Sequence, residues 1–230
     1  MRFDVEEVQM EREREVVEEG ERTEGIFLEE IREAIKTLRN GKSPGTDGLN
    51  AELYKTGEGV ELWLLELLNE IWDKERIPDE WSRAVICPIY KKGDKRICNN
   101  YRGIALLNVA SKIYERILER RLRIKVEDKL GSWQYGFRAG KSTMNPIFYM
   151  KMMIEKTIEW NKGADVAFVD FEKAFDRIDR EKLWRALDEQ EYEIPQKLKR
   201  AIKSTYCSTR NKIRGEVREE GWFEVSSGGR

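Results

Sequence analysis

The chain has 230 residues and a mass of 27.2 kDa, enough for one large domain or two small ones around a real core, which excludes peptide-sized and disulfide-framed architectures. Charged residues make up 38% and hydrophobic ones 40%, the mean hydropathy is -0.71, no apolar run reaches the roughly 18 residues of a membrane span, and no signal-peptide pattern follows Met1; a polar, intracellular globular protein is expected. There are no histidines and only three well-separated cysteines, Cys87, Cys98 and Cys207. That excludes His-based triads and zinc sites and leaves carboxylates, hydroxyls, amines or a hard metal to carry any chemistry.

The net charge of -1 conceals a strong segregation. Residues 1–30 carry 12 acidic and 4 basic side chains, and residues 31–81 carry 11 and 7. Residues 82–151 carry 16 basic and 5 acidic, while the remainder is balanced at 16 of each. A basic block of this kind suits a surface that faces polyphosphate, whether nucleic acid or nucleotide. Part of it also reads as a solvated helix face, because Arg116, Arg120, Arg121 and Arg123 fall on one predicted helix.

Residues 1–27 form an acidic leader with little apolar periodicity, read as disordered or as a frayed helix. Leu28, Ile31, Ile35 and Leu38 recur at helical spacing, and Asn40-Gly41 stops that helix. A turn-rich loop follows from Lys42 to Gly48. Residues 60–75, with Leu62, Leu65, Leu68 and Trp72, read as a buried helix ending before Ile77-Pro78. The pattern then changes to strands: Arg83 to Tyr90 is β-branched and short, Lys91 to Arg96 is a polar turn around Gly93, and Tyr101 to Leu107 returns as a partner, giving a hairpin with a basic tip. Helices are predicted over 109–124 and 146–160, separated by a Gly-punctuated loop from Gly131 to Ser142. Ala164 to Val169 reads as a buried strand that delivers Asp170 at its end. Asp179 caps a helix over about 180–190, Pro195 suits the first turn of another, and 211–225 close as a hairpin around Glu219-Glu220-Gly221.

Two segments invite a chemical reading. Gly140-Lys141-Ser142-Thr143 suggests a phosphate loop, but that motif needs glycine at 135, where Tyr135 stands, and a preceding strand where this chain has a loop. The stretch FVDFEKAFD, residues 168–176, is more informative. A carboxylate leaving a buried strand into a tight turn suits a divalent ion beside a cleft, so Asp170 is open between a metal ligand and an ordinary strand-end aspartate. Asp176 lies about 240 degrees further round if the segment is helical, so it reads as a local cap or a partner for Arg177 or Arg180.

FVDFEKAFD resembles the first catalytic motif of reverse transcriptases of the non-LTR (LINE-like) retrotransposon type, and the resemblance runs over about 25–230. The pieces come in the family's order. They are Ser43-Pro44-Gly45-Thr46-Asp47-Gly48, Ile77-Pro78 through Trp81, IYKKGD at 89–94, and Asn100-Tyr101-Arg102-Gly103-Ile104 with a helix bearing Lys112 and Ile113. Gln134-Tyr135-Gly136-Phe137-Arg138 with Lys141-Ser142-Thr143 precedes the Asp170 segment.

The resemblance implies an α/β (α+β) fold of the polymerase right-hand type, with helical fingers over 28–150 carrying a β-hairpin, and an incomplete antiparallel palm sheet over 151–230. It implies RNA-directed DNA synthesis on an RNA template with a DNA primer and deoxynucleoside triphosphates. By the same resemblance Asp170 is catalytic and holds Mg²⁺ (Mn²⁺ in its place), joined by the backbone carbonyl of Phe171. Lys91, Lys92 and Arg102 neutralise the triphosphate, and Phe175 crowds the sugar 2′ position. Arg138 and Lys141 contact nucleic acid.

A two-metal reaction needs carboxylates on both sides of the ion pair. The family's second side is an Asp-Asp pair, which does not occur in these 230 residues. The last residues, Ser226 to Arg230, resemble the opening of the family's substrate-binding loop. The expectation is therefore an incomplete fragment whose own catalysis is open, with a non-catalytic retroelement remnant that binds RNA or DNA as the alternative. An exposed apolar face on the partial palm is expected with it.

Overall fold

The computed structural model describes residues 24–189, 192–214, 221–225 and 227–228. The acidic leader as far as residue 23, and the turn expected at 219–220, lie outside them.

Helix α1 (Leu28–Lys36) buries Ile31, Ala34 and Ile35 on one face, and the Glu30 carboxylate caps its start by accepting the Phe27 N–H at 2.9 Å. Helix α2 (Glu58–Lys74) turns Leu64, Leu68, Ile71 and Trp72 inward and stops at Glu75, whose φ of 51° takes the chain out of the helix ahead of Pro78. Helix α3 (Val109–Val126) buries Val109, Ala110, Ile113, Tyr114, Ile117 and Leu118. Late in the chain, α5 (Arg180–Asp188) starts on Asp179, whose side chain accepts the Lys182 N–H at 3.2 Å, and α6 (Gln196–Tyr206) follows Pro195 and buries Leu198 and Ala201. These helices share one core, into which Tyr54, Trp81, Leu187 and Ile194 also pack. At about 1.5–3 kcal/mol for each large apolar side chain removed from water, this cluster is the main source of stability. Thus residues from both sides of position 150 meet in one hydrophobic cluster.

Strands β1 (Arg83–Tyr90) and β2 (Tyr101–Leu106) form the expected hairpin, in register from Val85 opposite Leu106 to Tyr90 opposite Tyr101. Strand β3 (Arg210–Ile213) joins the other side of β1 in parallel, Arg83 opposite Arg210, and β4 (Phe223–Glu224) pairs antiparallel with β3. The fold is α/β, with a mixed sheet ordered β2-β1-β3-β4.

Two expectations about the sheet are corrected. It is mixed, because the long helical crossover from β2 to β3 brings the chain back in the direction of β1. The run Ala164 to Val169 forms no strand, and Val166, Phe168 and Val169 are 53%, 81% and 77% exposed. Its β-branched and aromatic composition suits a strand, but a strand forms only beside another ladder, and no described strand pairs with it. Helix α4 (Met144–Glu159) buries no residue and leaves Ile147, Phe148, Met153 and Ile158 in water.

Candidate active site

The hairpin tip is built from its own polar groups. Asn100 returns the Lys91 N–H bond through its carbonyl at 2.8 Å, while its side-chain amide donates to the Asp94 carbonyl at 2.8 Å. Tyr90 Oη donates to the Gly93 carbonyl and Tyr101 Oη to the Lys95 carbonyl, and the two rings meet edge-on at 5.6 Å. Asp94 is held below the usual carboxylate range by hydrogen bonds from the Arg96 side chain and backbone. With Asp94 engaged, Lys91 and Lys92 project from the tip, and Arg102 leaves β2 opposite Ile89; all three are exposed and none pairs with a described carboxylate.

Three arginines of α3 in the same block behave differently. Arg120 pairs with Glu33, Arg121 with Glu30 at 2.7 Å, and Arg123 with Glu119. That share of the charge ties α3 to α1 and to itself.

Asp170 and Phe171 lie on an exposed stretch that leads into a 3₁₀ turn over Ala174–Arg177 carrying Phe175. Lys173 enters that turn with φ of 52°, and its ammonium donates to Asn99 Oδ1 at 3.2 Å. The Asp170 segment is thereby tied to the hairpin tip across 74 residues of sequence. Arg177 pairs with Glu172 at 3.2 Å, and Arg180 donates to the Gly228 and Tyr206 carbonyls; neither takes the partner role expected with Asp176. Gly228, with φ of 89°, lies against the turn so closely that a Cβ would come within 3.1 Å of the Asp176 carbonyl oxygen and 3.2 Å of that of Phe175.

The loop after α3 completes the surroundings. Lys141 is exposed, with its ammonium 5.9 Å above the Tyr135 ring. Arg138, expected at nucleic acid, points the other way. Its side chain is 11% exposed and donates to the Glu127 carboxylate at 2.8 Å and to the carbonyls of Glu127, Leu130 and Gly131. With four of its five N–H donors engaged by the Glu127 carboxylate and these carbonyls, Arg138 braces the loop. Phe137 meets the ring of Phe175 edge-on at 5.9 Å. The sequence contained Phe137 within a motif but gave no sign that it reaches Phe175.

The Ser43 to Gly48 loop is fastened to the start of α3. Thr46 donates its N–H, at 2.9 Å, and its hydroxyl, at 3.1 Å, to Asn108 Oδ1. Gly45 fits only because it has no side chain, since a Cβ would lie 2.2 Å from Asn108 Oδ1 and 2.4 Å from its backbone nitrogen. Asp47 stands near Tyr54, whose hydroxyl is pushed up to about 12 by burial and then by that charge. Burial lowers the nearby Lys112 ammonium, against the pull of Glu115 and Asp47.

The ligands on offer suit one kind of cation. Asp170 and the Phe171 carbonyl are exposed hard oxygens, fitting a Mg²⁺ that keeps waters and shares phosphate oxygens with a substrate. Among the described residues no group of three or more carboxylates or thiols could form an all-protein cage.

Residues 89–228 match the family described as Reverse transcriptase (RNA-dependent DNA polymerase). The chain is 34% identical over 157 residues to the probable RNA-directed DNA polymerase from transposon BS of Drosophila melanogaster, an alignment covering 66% of this chain and 17% of that protein. It is 28% identical over 186 residues to the transposon TX1 uncharacterized 149 kDa protein of Xenopus laevis, covering 80% and 14%. It is 29% identical over 163 residues to the retrovirus-related Pol polyprotein from type-1 retrotransposable element R2 of Popillia japonica, covering 70% and 22%. The chain spans about a sixth of the length of the first two. No helix among the described residues is long and apolar enough to cross a membrane. With the family match running from the hairpin through the Asp170 turn to Gly228, the chain belongs to the reverse transcriptases of non-LTR retrotransposons.

Proposed function

We propose that this chain supplies the fingers (28–150) and the first half of the palm (151–230) of a right-hand RNA-directed DNA polymerase, copying an RNA template from a DNA primer. The observation that carries the reading is the Lys173 to Asn99 contact, which holds the free cations of the hairpin beside the carboxylate-bearing segment. A triphosphate needs both together: cations to cancel its charge, and a hard-oxygen ligand for its metal.

In this reading Lys91, Lys92 and Arg102 grip the triphosphate and orient its α-phosphate towards the primer 3′-hydroxyl. Asp170 and the Phe171 carbonyl hold Mg²⁺ or Mn²⁺, which when bound supplies Lewis-acid stabilisation of the transferring phosphoryl group. Phe175 lies against the sugar edge of the nucleotide. Lys141 faces the template backbone, while Arg138 fixes the shape of the loop that carries Lys141.

The test is calorimetric titration of the chain with a deoxynucleoside triphosphate, with and without Mg²⁺. Binding should strengthen with Mg²⁺, and Asp170→Asn should remove that gain while leaving metal-free binding intact. A Mg²⁺ gain that survives in Asp170→Asn would refute the role given to Asp170.

A further inference from the structure

The rings of Phe137 and Phe175 stand at 89° to each other, with centroids 5.9 Å apart. The backbone beneath Phe137 is held from two sides. Its carbonyl accepts from Arg123 Nη1 at 2.8 Å, and the next residue, Arg138, is fastened to Glu127, Leu130 and Gly131. Between these anchors Phe137 adopts φ of 61°, a left-handed conformation that a bulky residue takes only when its surroundings enforce it. The residue is nevertheless 83% exposed. The loop therefore spends two arginines and a strained residue on aiming an apolar ring at solvent, where it meets Phe175.

Phe175 needs such a neighbour. It sits on a four-residue 3₁₀ turn, is 63% exposed, and is no part of the hydrophobic core. A ring that rejects a 2′-hydroxyl by contact works only if it cannot swing away. Gly228 backs the carbonyl of Phe175, but among the described residues the aromatic contact of its ring is with Phe137. An edge-to-face pair has a preferred geometry and so resists rotation of either ring.

We propose that Phe137 is a positioning residue that fixes the Phe175 ring and thereby sets the preference for deoxyribonucleoside over ribonucleoside triphosphates. This rests on the reading of Phe175 as the residue beside the sugar. Phe137 acts through Phe175 and does not touch the reacting atoms.

The experiment titrates the full chain, with Mg²⁺, against 2′-deoxyadenosine triphosphate and adenosine triphosphate. The wild-type chain should prefer the deoxy form. Phe137→Leu, which keeps apolar bulk without a ring, should lower that preference about threefold to tenfold through tighter binding of the ribonucleotide, with deoxynucleotide affinity unchanged. Phe137→Tyr, which keeps the ring, should retain the preference. Phe175→Ala should lose it, and adding Phe137→Leu to Phe175→Ala should change nothing further. An undiminished preference in Phe137→Leu, where Phe175→Ala abolishes it, would overturn the proposal and leave the Phe175 reading standing. Equal binding of both nucleotides by the wild-type chain, or no binding of either, would overturn the Phe175 reading and the role of Phe137 together.

Discussion

Arg200 and Glu75, 125 residues apart, form a two-pronged ion pair, with Nε on Oε2 at 2.5 Å and Nη2 on Oε1 at 2.9 Å. Their side chains are 12% and 10% exposed. Glu75 is the left-handed residue that closes α2, and Arg200 lies in α6, so the pair bolts the last helix onto the end of an early one. Truncating either partner removes one charge of the pair from a largely buried site. Arg200→Ala and Glu75→Ala should each cost about 3–5 kcal/mol in urea unfolding. The double change Glu75→Leu with Arg200→Met should recover most of that loss, because it removes both charges at once. Single-variant losses below about 1 kcal/mol would mean that water reaches the pair.

Glu30 makes stability depend on acid. Burial alone would raise its carboxyl, but hydrogen bonds from Arg121 and the Phe27 N–H, together with the charges of Arg121 and Arg120, outweigh burial and hold it below its ordinary value of 4.5. A carboxyl depressed in the folded state contributes stability that is present above its unfolded value and lost as pH falls through its folded one. Thermal midpoints measured from pH 7 down to pH 3 should therefore fall below pH 4.5 more steeply in the wild-type chain than in Glu30→Gln, which should start lower at neutral pH. Parallel curves for the two proteins would show that Glu30 titrates alike folded and unfolded.

What the sequence revealed follows from how local each signal is. Helices α1, α2 and α3 are legible because their apolar spacing is contained in the helix itself, as are the β-branched strands of the hairpin, while α6 is announced by Pro195 alone. The run at 164–169 has strand composition, yet what decides its state is a neighbour, and composition carries no record of one. Arg138 reads as a surface cation until the carbonyls of 127, 130 and 131 are seen to converge on it. Likewise Lys91 and Arg121 look alike in sequence, and the fold makes Arg121 structural by setting Glu30, the Gly25 carbonyl and the Trp72 ring against it. Asp170 stood out through family resemblance, since strand-end aspartates are common.

The division of cations gives a prediction about salt. A protein that binds single-stranded RNA through Z phosphate contacts shows a log-log salt slope of about -0.7Z. Lys91, Lys92 and Arg102 pair with no described carboxylate and, with no triphosphate present, are open to RNA phosphates, so replacing all three by Ala should weaken RNA binding and flatten the slope by about 2 units. Replacing Arg138 by Ala should leave the slope unchanged and lower stability instead, since its donors serve the loop. Fluorescence anisotropy with labelled RNA across a salt series distinguishes the two. An unaltered slope in the triple variant would move the nucleic-acid surface away from the hairpin.

The metal-holding role proposed for Asp170 bears on catalysis directly. In-line phosphoryl transfer by two ions about 4 Å apart requires carboxylates on both sides of the pair. Among the described residues Asp170 stands with one carbonyl and in no cluster of three carboxylates, and the chain has no Asp-Asp pair anywhere. The 230-residue chain by itself should therefore extend no primer on an RNA template with Mg²⁺ or Mn²⁺, even under conditions where it binds the primer-template. Product should be no greater than in a heat-treated control or in Asp170→Asn. Extension that Asp170→Asn abolishes would place the second side of the ion pair within these residues, and Asp165 and Asp176, the aspartates nearest to Asp170 in the chain, would be the first to replace.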